Sequence, residues 1–275
     1  MRILGIVLVG LVGAVSAGCG GPDASAHAAD VAGAGVSVTP EVWSRVTGER
    51  VFFGHQSVGN NILRGIREMS VPAGAQPVQI VDLAGGQPPA GPVILHREIG
   101  QNGDPFSKIK GFQEAVDSGV GPGVDVAAMK FCFWDIQAHT DVKKVFAEYE
   151  RTLTALQARH PATRFVHVTV PLFAPDVDWR ANLRRLIGRP VPRTLDNARR
   201  QELSELIRAR YAGREPVFDL ARYEAASETE AGVPYMAAEL TTDGGHLNPE
   251  GRRRLATAFL QTLAGLAPAH PTSGP

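Results

Sequence analysis

Three residues near the two ends of the chain have the types and spacing of a hydrolytic site. Ser57 follows the apolar residues 51–53, which predict a buried strand, and precedes a segment whose apolar residues have helical spacing. A hydroxyl at a helix N-terminus lies beside unpaired N–H groups that can stabilise an oxyanion. Asp243 and His246 lie three residues apart in a glycine-rich turn, so the carboxylate can hold one tautomer of the imidazole. This pattern predicts a serine nucleophile, with His246 as general base and Asp243 as its orienting group.

Both segments resemble the SGNH (GDSL-like) hydrolase family of esterases and lipases. In that family the nucleophilic serine lies just after the first strand, in block I, and an Asp-x-x-His pair lies just before the last helix, in block V. Ser57, Asp243 and His246 match these positions in the family's order. The resemblance spans residues 48–265, and block V is its more specific part. Asn248 there predicts a helix N-cap.

The resemblance also implies an oxyanion hole, to which a glycine of block II contributes a backbone N–H. Gly100 and Gly103 both qualify by position, alongside the N–H of Ser57, and Asn102 is a further donor in the same loop. An ordinary polar loop that leads into a helix over residues 106–116 is the alternative interpretation of this segment.

Two positions depart from the family pattern. Block III usually reads Gly-x-Asn-Asp, with the asparagine side chain donating to the oxyanion, but Trp134 takes the asparagine position here and Asp135 follows it. The aspartate that normally precedes the nucleophile is replaced by Gln56. One oxyanion donor is therefore unassigned, and the amide of Asn102 or of Gln56 could supply it.

Five side chains are candidates for contact with a substrate: His55, Gln56, Trp134, Asp135 and Trp179. For His55, a structural hydrogen bond is the alternative role. Trp179 belongs to the long segment 171–192, which predicts either a cover that holds an acyl or sugar group, or a surface excursion with a short helix over residues 181–186.

Strand-like and helix-like segments alternate five times along the chain, with strands predicted at residues 51–53, 77–83, 125–133, 164–170 and 216–220. This order predicts a three-layer α/β/α sandwich around a five-stranded, mostly parallel, doubly wound (flavodoxin-like) sheet. The candidate site then lies at the carboxyl ends of the strands.

The N-terminal residues predict export. Residues 1–18 have the basic start and apolar run of a signal peptide, and Cys19 resembles the lipidated cysteine of a bacterial lipobox. Residues 19–38 read as a flexible tether, 39–267 as the hydrolase-like domain and 268–275 as a disordered tail. The expected location is the cell envelope, through a lipid anchor at Cys19 or else by secretion. Cys132 reads as a small buried hydrophobe.

The composition narrows the class of ligand. The chain has 275 residues with 28 basic and 28 acidic side chains, so bulk charge does not favour nucleic acid. No cofactor is implied, and no Cys/His cluster has zinc spacing. The pattern predicts a serine esterase that hydrolyses a carbohydrate O-acyl or lipid ester. The alternatives are an inactive envelope protein that binds glycans and, less favoured for want of a phosphate-binding glycine loop, a nucleotide binder.

Overall fold

A six-stranded parallel sheet forms the centre of the protein. The computed structural model describes residues 38–85, 88–120 and 123–266. The strands are β1 Arg50–His55, β2 Ile80–Asp82, β3 Val93–Glu98, β4 Val126–Met129, β5 Arg164–Val168 and β6 Val217–Phe218. They lie in the order β2-β3-β1-β4-β5-β6, and every neighbouring pair is parallel. The order reverses at β1, so the turn that carries Ser57 lies at the switch point of a doubly wound sheet.

The predicted fold class is confirmed, but the strand count of five was wrong. All five predicted strands are present, and β3 is one additional strand that the sequence did not predict. Its apolar part covers only residues 93–95, and the polar His96, Arg97 and Glu98 continue it to the edge of the site. The polar residues leave only three apolar positions as a strand signal, and β3 is fixed by pairing with β1 and β2 on either side.

Helices cover both faces of the sheet. They are α1 Pro40–Val46, α2 Val58–Glu68, α3 Pro105–Ala115, α4 Val142–Arg159, α5 Trp179–Leu186, α6 Pro192–Tyr211, α7 Leu220–Glu224 and α8 Pro249–Ala264. Side chains of α1, α2 and α8 pack with Phe53 in one core, and those of α3, α4 and α6 pack with Phe52 in the other. Successive residues of β1 therefore point to opposite layers, which is the arrangement expected of a strand buried on both faces.

Close packing of α2 on α8 fixes the Ser57 turn relative to the His246 loop. A Cβ added at Gly65 of α2 would lie 2.5 Å from the carbonyl oxygen of Arg252 in α8. The Arg252 side chain also pairs with Glu68, at 2.9 Å from Nε to Oε2. Both candidate site segments are thus attached to one closely packed helix pair.

A two-stranded antiparallel hairpin, β7 Ala225–Glu230 and β8 Val233–Met236, follows α7 and was not predicted. Its two connecting residues, Ala231 and Gly232, have φ of 53° and 77°. A type I′ hairpin turn requires such positive φ values at both of its central residues. Alanine is uncommon at a positive φ, so the sequence lacked the usual Asn-Gly or Asp-Gly signal.

The predicted signal peptide, the lipidated Cys19, nearly all of the tether and the C-terminal tail lie outside the described residues. Among the described helices, none combines the length and the apolar character needed to cross a membrane.

Candidate active site

Ser57 lies in a strained turn between β1 and α2. Its φ of 51° and ψ of −105° are outside the regions that residues with a Cβ normally occupy. Its Oγ is buried and makes no hydrogen bond to any described residue. Gly59 allows this tight turn, because a Cβ there would lie 2.4 Å from the Cβ of His55. In this structure the Ser57 hydroxyl is not hydrogen-bonded to His246, so the strained backbone, and not a Ser–His hydrogen bond, is what distinguishes this residue.

Asp243 and His246 form the pair that the sequence predicts. The imidazole Nδ1 lies 2.7 Å from Oδ2 of Asp243. The other carboxylate oxygen, Oδ1, accepts from the backbone N–H of His246 at 2.7 Å and of Gly245 at 2.9 Å. Burial raises the pKa of the Asp243 carboxyl, but these three hydrogen bonds outweigh it and hold the pKa below its usual range.

The ionised Asp243 fixes the tautomer of His246. A carboxylate only accepts hydrogen bonds, so Nδ1 of the imidazole must carry the proton that it donates to Oδ2. The other ring nitrogen, Nε2, is then an acceptor whenever the ring is neutral. His246 therefore has the protonation pattern of a general base.

Hydrogen bonds link the Ser57 turn to the His246 loop. The Asn61 N–H donates to the carbonyl oxygen of Ser57 at 3.3 Å. The Asn61 side chain in turn accepts from the N–H of Leu247 at 3.1 Å, across 186 residues of chain. Beyond Leu247, Asn248 caps α8 as predicted, with its Oδ1 accepting from the N–H of Gly251 at 3.0 Å. Sequence analysis did not identify Asn61, because its partner is distant in the chain.

The candidate oxyanion loop is held by buried charged groups. The N–H of Gly103 donates to Asp135 Oδ1 at 2.9 Å, so in this structure it is already paired. Asp135 is buried, burial raises the pKa of its carboxyl, and its Oδ2 accepts from the N–H of Cys132 at 2.6 Å. The expected contact of Asp135 with substrate is therefore replaced by a role inside the protein. Gly100 has a φ of 56°, and a Cβ there would lie 2.5 Å from the backbone nitrogen of Lys108.

Lys108 is fully buried and was missed by the sequence analysis. Its ammonium donates to Oδ1 of Asn102 at 3.0 Å. Burial lowers the pKa of Lys108, while the nearby Asp135 carboxylate acts in the opposite direction. Asn102 itself is exposed at the surface of the loop. A lysine in a helix that follows a polar loop gives no sequence signal of burial, since lysines at such positions are usually solvated.

The Gln56 amide holds the same loop from the other side. Its Nε2 donates to the carbonyl oxygens of Ile99, at 3.1 Å, and Gly100, at 2.7 Å. Both amide hydrogens are therefore used. The expectation that Gln56 donates to an oxyanion or a substrate is corrected on this ground: the residue connects the Ser57 turn to the oxyanion loop.

His55 is corrected in a similar way, because its side chain is fully buried. Its Nε2 lies 3.2 Å from Nδ1 of His96, which is also buried. Burial and the Lys130 charge lower the pKa of His55 to about 2, and burial lowers that of His96. Two neutral imidazoles can share one hydrogen bond, which matches the alternative structural role. The partner, His96, lies on the unpredicted strand β3.

A cluster of three aromatic rings lies beside His246 and contacts it through Phe133. Phe133 meets the imidazole edge to face, with centroids 5.6 Å apart, and packs against Phe173 at 4.4 Å. Trp134 contacts both phenylalanines, at 5.8 and 5.6 Å, yet leaves 49% of its surface exposed. Trp134 thus lies one ring away from His246 with an open face. Trp179 is 68% exposed at the start of α5, and no described contact brings it to these rings.

Three further ionisable residues are buried near the turn that carries Phe133 and Trp134. Arg200 donates through Nε to the carbonyl oxygen of Phe133 at 3.0 Å, and burial lowers its pKa to about 10. Lys130 donates to the carbonyl oxygen of Phe131 at 3.0 Å. Glu224 accepts from Leu172 N–H at 2.8 Å, and burial raises its pKa to about 8. Within the described residues, no group of three His, Cys, Asp or Glu side chains is placed to hold a metal ion.

No protein-family model and no curated protein matches the sequence. The chain is similar to several solved structures. A carbohydrate esterase of family 3 from Talaromyces cellulolyticus is 13% identical over 79% of this chain and 96% of that chain, with a TM-score of 0.44. A peptidoglycan O-acetylesterase is 15% identical over 66% of this chain and 48% of that chain, also at 0.44. A protein from Streptococcus pneumonia, provisionally described as a platelet activating factor, is 15% identical over 79% and 85%, at 0.49. At such identities the function has to be argued from the chain's own residues.

Proposed function

We propose that the protein is a serine esterase that hydrolyses a carboxylic ester through Ser57, His246 and Asp243. The observation that carries this proposal is the oriented Asp243–His246 pair, with Nδ1 at 2.7 Å from Oδ2. Its loop is hydrogen-bonded through Asn61 to the turn that holds the unpaired Ser57 hydroxyl. A purely structural site has no use for a tautomer-fixed histidine together with a strained, unpaired serine.

The chemistry follows from these roles. Nε2 of His246 takes the proton of Ser57 as Oγ attacks the ester carbonyl carbon. The imidazolium, stabilised by Asp243, returns that proton to the leaving alcohol oxygen as the C–O bond breaks. Water then attacks the acyl carbon and gives a proton to Nε2 of His246. The imidazolium returns this proton to Oγ of Ser57 as the acyl C–Oγ bond breaks and the carboxylic acid is released.

Asn102 is the residue that we assign to the missing block III asparagine. A lysine ammonium has only donors, so the amide atom 3.0 Å from Lys108 must be the oxygen of Asn102. The amide N–H groups consequently point away from Lys108, on an exposed residue. Lys108 is a positioning residue in this account, and Asn102 donates to the oxyanion with the N–H groups of Ser57 and Gly100. Gly103 contributes by holding the loop on Asp135.

The exposed ring of Trp134 favours a substrate with an apolar face near the ester. It stands where the family has asparagine and is separated from His246 only by Phe133. Sugar rings and acyl chains both stack on such a surface. A carbohydrate O-acyl or lipid ester of the cell envelope is therefore the proposed substrate class.

The alternative is a protein that binds glycans in this cleft without catalysis. The paired N–H of Gly103 favours it, since an oxyanion hole needs free donors. Hydrolysis of a short-chain aryl acetate by the full chain separates the two. We expect Ser57→Ala to lower kcat by at least about a thousandfold, while Ser227→Ala, on the exposed surface of β7, keeps the parent rate. Equal rates in both variants, or none in the parent across several acyl lengths, would favour the binding protein.

We also propose that the chain is exported and lipid-anchored at Cys19. Arg2, the apolar residues 3–15 and the following cysteine support this. We expect the membrane fraction of a bacterial host to yield an acylated N-terminal peptide that begins at Cys19. This peptide should be absent in Cys19→Ser. An unmodified Cys19 in the native chain would contradict the lipid anchor and would favour secretion as the route of export.

A further inference from the structure

Helix α5 turns its large apolar side chains away from the protein. Trp179, Leu183 and Leu186 are spaced by four and three residues, so they lie on one face of the helix. Their exposed fractions are 68%, 47% and 83%. Ala181, on the opposite face, is the buried residue of this helix. Ile187 and Val177 at the two ends are also exposed, so the apolar surface extends beyond the helix.

The borders of this apolar face are basic. Arg180, Arg184 and Arg189 make no ion pair with any described residue, and no acidic residue occurs from 179 to 190. The two acidic residues just before the helix are both engaged: Asp176 pairs with Arg193, and Asp178 caps the helix N-terminus. The formal charge of the whole chain is zero, so the excess of positive charge here is local. Tryptophan and leucine on one face with arginine beside them is the composition of helices that lie in a membrane interface.

The helix is held in place, so its apolar face is a fixed surface. Arg185 pairs with Glu230 of β7, at 2.8 Å from Nε to Oε1, and donates to the carbonyl oxygen of Asp176 at 2.8 Å. Asp176 in turn pairs with Arg193 at 2.9 Å. A Cβ at Gly244, in the His246 loop, would lie 2.5 Å from Nη1 of Arg193. The segment that leads into α5 is therefore connected, through the Asp176–Arg193 ion pair, to the loop that carries His246.

We propose that α5 is a docking surface for an anionic phospholipid bilayer. Aliphatic side chains and Trp179 would enter the boundary between headgroups and acyl chains, while Arg180 and Arg184 would contact lipid phosphates. Charge complementarity favours this occupant over a second copy of the chain, because two such faces would bring their arginines together. The surface would hold the site against the membrane independently of the predicted anchor at Cys19, and its test requires no catalysis.

Quenching of tryptophan fluorescence by brominated acyl chains tests the proposal at one residue. The full chain would carry Cys19→Ser and Trp134→Phe, so that Trp179 is the exposed tryptophan and Trp43 stays buried. Vesicles of brominated phosphatidylcholine, with and without phosphatidylglycerol, are the probes. We expect quenching on the anionic vesicles that is lost in Trp179→Phe, and much weaker quenching on the neutral ones.

Paired variants separate charge from apolar contact. Arg180→Gln with Arg184→Gln should weaken binding to anionic vesicles about 25-fold, because each basic residue near the surface contributes about 1 kcal/mol. The control pair, Lys143→Gln with Arg214→Gln, removes two exposed cations elsewhere and should change it less than twofold. No quenching of Trp179, or equal losses in the two pairs, would overturn the proposal. So would a lipid-free dimer, seen by sedimentation, that Leu183→Ser disrupts.

Discussion

Replacing Ser57 by alanine and by glycine distinguishes a serine kept for chemistry from one kept for structure. Alanine removes only the hydroxyl, which is buried and makes no hydrogen bond to the described residues. Losing an unpaired buried hydroxyl costs almost nothing, whereas losing a paired one costs about 1–3 kcal/mol. We therefore expect the free energy of unfolding of Ser57→Ala to equal or exceed that of the parent.

Glycine also removes the backbone strain. A residue with a Cβ at φ 51° and ψ −105° carries a cost of about 1–3 kcal/mol. Glycine avoids it but loses about 0.5–1 kcal/mol more conformational entropy on folding. The net gain for Ser57→Gly is about 1 kcal/mol, which for a chain of this size raises Tm by about 2–4 °C.

The assay measures urea and thermal unfolding of the parent, Ser57→Ala and Ser57→Gly, together with the esterase rate of each protein. Ala231→Gly is the matched control, since Ala231 is the other non-glycine residue with positive φ in the described part of the chain. It should gain similar stability and keep its activity, while both Ser57 variants lose theirs. A loss of more than about 1 kcal/mol in Ser57→Ala would mean a structural hydroxyl, and Ser57→Gly less stable than Ser57→Ala would refute the strain.

Three further predictions concern neighbouring groups. Lys108→Met should lower kcat about tenfold or more with little change in KM. A double-mutant cycle with Asn102→Ala should be non-additive, because both substitutions remove the same oriented amide. Additive losses would contradict the role of Lys108 in orienting Asn102. The Glu224 carboxyl stays protonated up to about pH 8 in the folded state but loses its proton near pH 4.5 in the unfolded chain, so it makes the parent less stable as the pH rises between these values. Glu224→Gln should remove this fall in the free energy of unfolding. If urea unfolding at pH 5 and pH 8 gives the same difference in free energy for the variant and the parent, the prediction is contradicted. Gly65→Ala should cost about 1–3 kcal/mol, because its Cβ would meet the carbonyl oxygen of Arg252 at 2.5 Å; a Tm equal to that of the parent would disprove the close packing.

The sequence predicted the features that depend on local contacts. Asn248 caps α8 through a residue three positions away, and Asp243 reaches His246 within one turn. Such features need no knowledge of the rest of the chain, since the interacting groups are only three or four residues apart.

Apart from the β7–β8 hairpin, whose turn lacks the usual residue types, the elements and links that the sequence did not predict depend on contacts between distant segments. Strand β3 is recognisable only by its pairing with β1 and β2. The link from Asn61 to Leu247 crosses 186 residues, and that from His55 to His96 crosses 41. Two side-chain assignments failed for a related reason: Gln56 and Asp135 were expected to contact substrate, but Gln56 donates to the carbonyl oxygen of Ile99 and Asp135 accepts from the N–H of Gly103, and both of these groups lie in another loop.

Covalent labelling with an active-site serine reagent shows directly whether Ser57 is the nucleophile. A fluorophosphonate reacts with a serine whose hydroxyl is activated by a neighbouring base, and peptide mass analysis identifies the labelled residue. We expect stoichiometric labelling of the full chain at Ser57, with loss of labelling in His246→Gln and a slower reaction in Asp243→Asn. Labelling elsewhere, or none at Ser57 in the folded protein, would contradict the assignment of Ser57 as the nucleophile.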